Sequence, residues 1–234
     1  MQLFAKESVM SLVPYKTAPM VPTAKVNIQY LGEHQLNSLT AAYQNFFDSA
    51  SSPRQYAKRG KHWLTFLVLR YTGARLSEAL NLNPDTDIDY RNGELRLVTL
   101  KQHSPKGKHA KKRTPTRIIP VPPNVISEIS NFRLQIAQYA AKGELPKGEE
   151  SPFRLDPATF RKTFYRLARE AGVSKDSGHP HILRHTRSIE LLRAGVPVTS
   201  VQDLLGHSSL NTTALYLRIS GQETKQILKD RGLI

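Results

Sequence analysis

Between residues 179 and 218 the chain sets four chemically capable side chains in fixed order: His181, Arg184, His207 and Tyr216. A fifth, Arg75, stands far upstream in TGARLSEALNL. Arginine forks donors onto the oxygens of a phosphate in a way that lysine does not. Histidine holds or passes a proton near neutral pH. A tyrosine needs help to act as a nucleophile, because its unperturbed pKa is about 10. Two arginines and a histidine around it favour the phenolate and orient its attack. The chemistry on offer is phosphate binding beside a tyrosine that could act as a nucleophile.

Each residue also has a plainer reading. Arg75 can pair with Glu78, three residues on, and the two roles are compatible if Glu78 orients the guanidinium. Tyr216, after a Thr-Thr pair, can be half-buried core. His207 follows Leu205-Gly206, where it can cap a helix or donate to a phosphate. At about 100° per residue, Ile182, Ile189 and Leu192 fall within an arc of about 80°. His185 lies inside that arc and is expected in the packed wall. His181 and Arg184 lie outside it, about 60° apart on the helix, and can face one ligand. His181 and His185 also have the spacing of a metal-binding helix. A zincin would need Glu where Ile182 stands, and no acidic residue shares the face, so no metal site is expected.

Between residues 101 and 117 lies KQHSPKGKHAKKRTPTR. Lys106, Lys108, Lys111, Lys112 and Arg113 make this a charged, DNA-facing loop. Lys101 stands at its mouth. One loop lysine, its pKa lowered among arginines, can protonate a leaving alkoxide, and Lys101, Lys106 and Lys108 compete for that role.

The elements that must position these residues follow from periodicity and punctuation. Residues 1–27 hold Pro14, Pro19 and Pro22 without sustained periodicity and are expected to be a flexible tail. Helices are expected over about 32–47, 55–71, 75–82, 122–141, 156–171, 181–194, 198–205, 212–218 and 221–230. The block from Trp63 to Leu69 is apolar on every face, so its helix should be central and buried. Gly73 ends that helix, and Asp156-Pro157 caps the one at 156. Residues 87–100 read as a hairpin around Asn92-Gly93, with Arg117 to Val121 as a third strand. Pro120 puts that strand at an edge. The fold class is mainly α with one small antiparallel three-stranded sheet (α+β).

The 234 residues allow one full domain or two small ones. The absence of cysteine excludes disulfides and Cys-ligated zinc. The longest apolar run, Leu64 to Leu69 interrupted by Thr65, is too short to span a bilayer. No signal pattern opens the chain and no membrane partner is expected, so a cytoplasmic protein is the simplest expectation. Lys and Arg number 34 against 19 Asp and Glu, a net charge of +15. That favours a polyanion, because each cation placed on a phosphate releases counterions.

Arg75, then His181-x-x-Arg184, then Leu205-Gly206-His207, then Tyr216 at the matching spacing resemble the signature of the tyrosine recombinase (phage integrase) family. The resemblance covers roughly residues 28–220, and 221–234 resemble the terminal helix that such proteins exchange with a neighbouring protomer. It implies a tyrosine recombinase catalytic-domain fold that clamps double-stranded DNA at a specific recombination site. Tyr216 would form a 3′-phosphotyrosyl bond and release a 5′-hydroxyl. Arg75 and Arg184 would hold the non-bridging oxygens, His181 would take the tyrosine proton, and His207 would donate to the phosphate. Lys101 would be the general acid, and Glu78 and His185 would support. No metal, ATP or other cofactor is implied. Strand exchange would run through a Holliday junction in a homotetramer, from a monomer or dimer when free, with possible accessory DNA-bending proteins in the nucleoid. The family usually carries a helical core-binding domain before the catalytic one. Here residues 1–27 stand in that place, which implies a small stand-alone or plasmid-resolvase-like member of a mobile element, or a truncated form.

Three other readings compete. A DNA-binding accessory protein of the same fold would give no covalent adduct. A type IB topoisomerase-like enzyme would relax DNA without site preference. An RNA-binding protein would need aromatic residues on its sheet, which ELRLVTL and RIIPV lack.

Overall fold

The computed structural model describes residues 29–99, 115–146 and 151–206, with Lys229 and Gly232 beyond them. Lys101, Lys106, Lys108, Lys111, Lys112, Arg113, His207 and Tyr216 lie outside the described residues. So do the N-terminal tail, the helix expected at 212–218 and, but for Lys229, the one at 221–230.

Seven helices and three strands are described: α1 Glu33–Asp48, α2 Pro53–Thr72, α3 Leu76–Leu80, β1 Ile88–Asp89, β2 Glu94–Val98, β3 Thr116–Pro120, α4 Pro123–Ala141, α5 Pro157–Glu170, α6 His181–Arg193 and α7 Val198–Leu205. The fold is mainly α with a small antiparallel sheet, as the sequence implies.

The molecule is built on α2, which packs against α1, α3, α4 and α6. Its start is set by Ser52, whose hydroxyl accepts from the Gln55 amide, and by Pro53 at the first helical position. From Gly60 to Leu69 every residue is buried. A Cβ at Gly60 would lie 2.1 Å from the Phe132 ring, so glycine sets how closely α4 approaches. The Trp63 indole donates to Glu128 of α4 at 2.9 Å. Arg70 forks onto Glu190 of α6 at 2.7 and 2.8 Å. Tyr43 of α1 stacks on Phe66 with ring centroids 4.2 Å apart.

The sheet order is β1-β2-β3, so β3, which carries Pro120, is an edge strand. Residues 90–93 form a four-residue turn between β1 and β2, in which Gly93 takes a left-handed φ of 69° and the Asp89 carboxylate accepts from the Arg91 and Asn92 amides. Leu97 pairs with Arg117 and Leu95 with Ile119, so these four share one face of the sheet. β3 packs against α7, and β2 against α3. Asp156 caps α5 as expected, accepting from the Thr159 amide at 2.7 Å. Among the described residues no helix is long and apolar enough to cross a membrane.

Candidate active site

Gly73 closes α2 in the left-handed conformation, φ 64°, and the chain turns at once into α3 with Arg75 as its N-cap. A glycine break after a buried helix therefore fixes where Arg75 stands. Its Nη1 donates to Glu78 Oε1 at 2.8 Å, and its backbone amide to Glu78 Oε2 at 3.0 Å. The Glu78 side chain is fully buried. The ion pair with Glu78 is thus formed, and it orients the guanidinium: Nη2 lies 3.4 Å from the Gly206 carbonyl oxygen, at the residue before His207. Burial alone would raise the Glu78 pKa. Hydrogen bonds from Arg117 and from the Arg75 backbone, with the charge of Arg117, outweigh this and hold the carboxyl below its ordinary range.

On α6, Arg184 is only 2% exposed and His181 is exposed. The arc drawn from three apolar residues placed Arg184 outside the packed face. The helix instead buries Ile182, Leu183, Arg184, Thr186, Ser188 and Ile189, because both α2 and α7 pack on it and widen the buried stripe. Arg184 Nη1 donates to the Gly73 carbonyl at 2.8 Å. His185 is half-buried rather than part of a packed wall, and its ring meets that of His181 edge-on at 4.6 Å. The His181 pKa falls to about 4, first because the protein beneath the ring strips its hydration, then because His185, Arg184, His179 and Arg75 set positive charge around it. His185 falls to about 4 by burial and the charges of His179 and Arg184. Both shifts favour the uncharged rings.

Arg75 and His181 face one open cleft of about 450 Å³, together with Arg161, Tyr165 and His179. Arg184, anchored on the Gly73 carbonyl, is not among the residues that line it. The structure therefore brings together Arg75, Glu78, His181, Arg184 and His185 of the residues singled out from sequence. Sequence reasoning missed Arg161 and Tyr165. They are exposed and one turn apart on α5, on the flank beside its buried residues Phe160, Phe164, Leu167 and Ala168, and nothing in the pattern set them apart from the other exposed residues of that helix. It also missed Arg117. In RIIPV, positions 117, 119 and 121 share one face, Ile119 and Val121 are buried, and an arginine in that register points inward and demands an acceptor.

The model of the phage integrase family matches residues 29–223. The chain belongs to the phage integrase family. Within this family it is similar to tyrosine recombinase XerA of Pyrococcus furiosus, 32% identical over 174 residues that cover 73% of this chain and 54% of the relative. Tyrosine recombinase XerD of Vibrio vulnificus is 32% identical over 164 residues, 68% of this chain and 49% of the relative. The chain thus spans about half the length of these relatives. Among solved structures, XerH site-specific recombinase bound to palindromic difH substrate in a post-cleavage complex aligns with TM-score 0.63 at 22% identity, over 85% of this chain and 52% of that one. The catalytic domain of bacteriophage HP1 integrase aligns with TM-score 0.53 at 19% identity, over 86% of this chain and 94% of that domain. These likenesses show the fold to be that of tyrosine recombinase catalytic domains.

Proposed function

We propose that this chain cleaves and rejoins double-stranded DNA at a specific site as a tyrosine recombinase. The observation that carries the reading is that Arg75 and a neutral His181, from segments far apart in sequence, face one cleft with the charge of Arg184 beside them. The family match across residues 29–223, which includes His207 and Tyr216, supports it. So does a fold neighbour that is itself bound to a DNA substrate.

In this reading Tyr216 attacks the scissile phosphorus. An Oη–P bond forms as the P–O5′ bond breaks. The phenol proton passes to His181, which is unprotonated at neutral pH and free to accept it. Arg75 and Arg184 offset the charge that builds on the non-bridging oxygens, and His207 donates to the same group. Lys101 gives a proton to the leaving 5′ oxygen. The product is a 3′-phosphotyrosyl bond, and attack by another strand's 5′-hydroxyl reverses the steps. Lys106, Lys108, Lys111, Lys112 and Arg113 bind flanking phosphates. Residues 28–220 form the catalytic unit and 221–234 an exchanged segment. Strand exchange takes place through a Holliday junction in a tetramer on nucleoid DNA within the cytoplasm, in the service of a mobile element.

The test is covalent trapping. Nicked duplexes tiled from the DNA flanking the gene are incubated with wild type and with Tyr216→Phe, then denatured. A protein–DNA band present in wild type and absent in Tyr216→Phe is expected. A band that survives in Tyr216→Phe moves the nucleophile elsewhere. Tight, salt-sensitive binding without any band leaves a DNA-binding accessory protein in place of the enzyme.

A further inference from the structure

The guanidinium of Arg117 is nearly buried, its side chain 9% exposed, and it joins three separate segments. Nη2 donates to Glu78 Oε2 at 2.6 Å, on the carboxylate whose other oxygen holds Arg75. Nη1 donates to the Thr99 hydroxyl at 3.0 Å, just past the end of β2 and two residues before Lys101. Nε donates to the Leu204 carbonyl at 2.8 Å, in the last turn of α7 and three residues before His207. Gly206 lies against the same group, since a Cβ there would sit 3.0 Å from Nη1.

We propose that Arg117 is a positioning residue of this site: through Glu78 it fixes the Arg75 guanidinium, and through Thr99 and Leu204 it fixes the chain ends that lead to Lys101 and His207. The inference rests on the recombinase reading for its consequence and on the hydrogen bonds alone for its geometry. A lysine would keep the charge. It cannot present three donors in a fixed plane to a carboxylate, a hydroxyl and a carbonyl arriving from three directions. Three of the five Arg117 N–H donors are held by protein oxygens and its side chain is nearly buried, so it acts on the phosphate through Arg75. A site held this way fails by misplacement. DNA affinity, spread over many cations, survives, while the cleavage step, which depends on alignment, does not.

The experiment compares Arg117→Ala and Arg117→Lys with wild type, and with Arg133→Ala as a charge-matched control. Arg133 pairs with Asp85 and Tyr90 at the surface, away from the cleft. Three quantities are read: duplex affinity, the single-turnover rate of adduct formation, and amide hydrogen exchange. Arg117→Ala is expected to bind DNA as Arg133→Ala does, yet to form adduct about 100-fold more slowly, the cost of a misplacement near 1 Å. Arg117→Lys should fall between. In an Arg75→Lys background, adding Arg117→Ala should cost under about threefold, because the two act as one unit. A full, independent loss in that background overturns the proposal, as does a parallel fall in affinity and rate. The exchange arm needs no activity. The Arg75, Thr99 and Gly206 amides should exchange about tenfold faster in Arg117→Lys, with the buried amides of α2 unchanged. Unchanged exchange at the three sites overturns the positioning role. A wild type that forms no adduct removes the recombinase reading, and the exchange arm then decides the role of Arg117 by itself.

Discussion

Arg184 Nη1 donates to the carbonyl oxygen of Gly73 at 2.8 Å, so the arginine of α6 is anchored on the residue that ends α2, two positions before Arg75. One backbone feature thus serves both arginines. Gly73 has φ 64°, and a Cβ built on it would lie 2.6 Å from Leu205 Cδ2. Gly73→Ala therefore suffers left-handed strain and a collision with the end of α7. A loss of about 1–3 kcal/mol in urea unfolding is expected, with a loss in adduct formation larger than the stability change explains. Wild-type adduct formation in a folded Gly73→Ala would contradict this.

Glu78, its side chain fully buried, is the counter-charge for two arginines. Glu78→Gln keeps the shape and leaves two buried or half-buried guanidinium groups short of a negative charge. Breaking a buried ion pair on one side costs about 3 kcal/mol or more. The sign of the pH effect follows from the lowered pKa of Glu78. Its contribution is present above the ordinary carboxylate range and is lost as pH falls through that range toward the folded value. Wild type should lose its advantage over Glu78→Gln on acidification, measured as converging urea midpoints.

The sequence showed the helices well where punctuation was strong. Gly73, Asp156-Pro157 and the Trp63–Leu69 block set the ends of α2, the start of α5 and the centre of the core. Arg75 and His181 were legible as partners by residue type and order. The burial of Arg184 was not, because three apolar residues define a stripe only for a helix packed on one side, and α6 meets both α2 and α7. Arg117 was hidden by its neighbours: next to a charge-dense loop it looked like one more exposed cation, and only the strand register turns it inward.

Tyr43 is fully buried, and its hydroxyl has no hydrogen-bond partner among the described residues. Burial pushes its pKa well above the ordinary value. The ring contributes through its stack on Phe66 and its contacts with Phe160 and Phe164. The hydroxyl bears only a desolvation cost. Tyr43→Phe keeps the ring and removes that cost, so stability should hold or rise by about 1 kcal/mol. A clear loss in the urea midpoint would show that the hydroxyl has a partner that the geometry does not reveal.

His62 sits 1% exposed in the middle of α2, stacked on Phe160 at 5.8 Å and edge-on to Phe46 at 6.1 Å. Its Nδ1 has no hydrogen-bond partner among the described residues. Burial first, then the charges of Lys58 and Arg166, lower its pKa to about 4. The unfolded chain takes up its proton near the ordinary value of 6.5 and the folded chain only near 4, so between those values the unfolded state binds more protons. The stability that depends on a neutral His62 is fully present above pH 6.5 and is lost progressively as pH falls toward 4. His181 and His185 add slopes of the same sign, weaker because they are more open to water. His62→Phe places a third phenyl ring between Phe46 and Phe160 and removes the titration. Its urea midpoint should change less between pH 7 and pH 5 than that of wild type, at unchanged m-value. An equal acid slope in the two proteins would mean that His62 titrates alike in the folded and unfolded chain, against the lowering that burial, Lys58 and Arg166 impose.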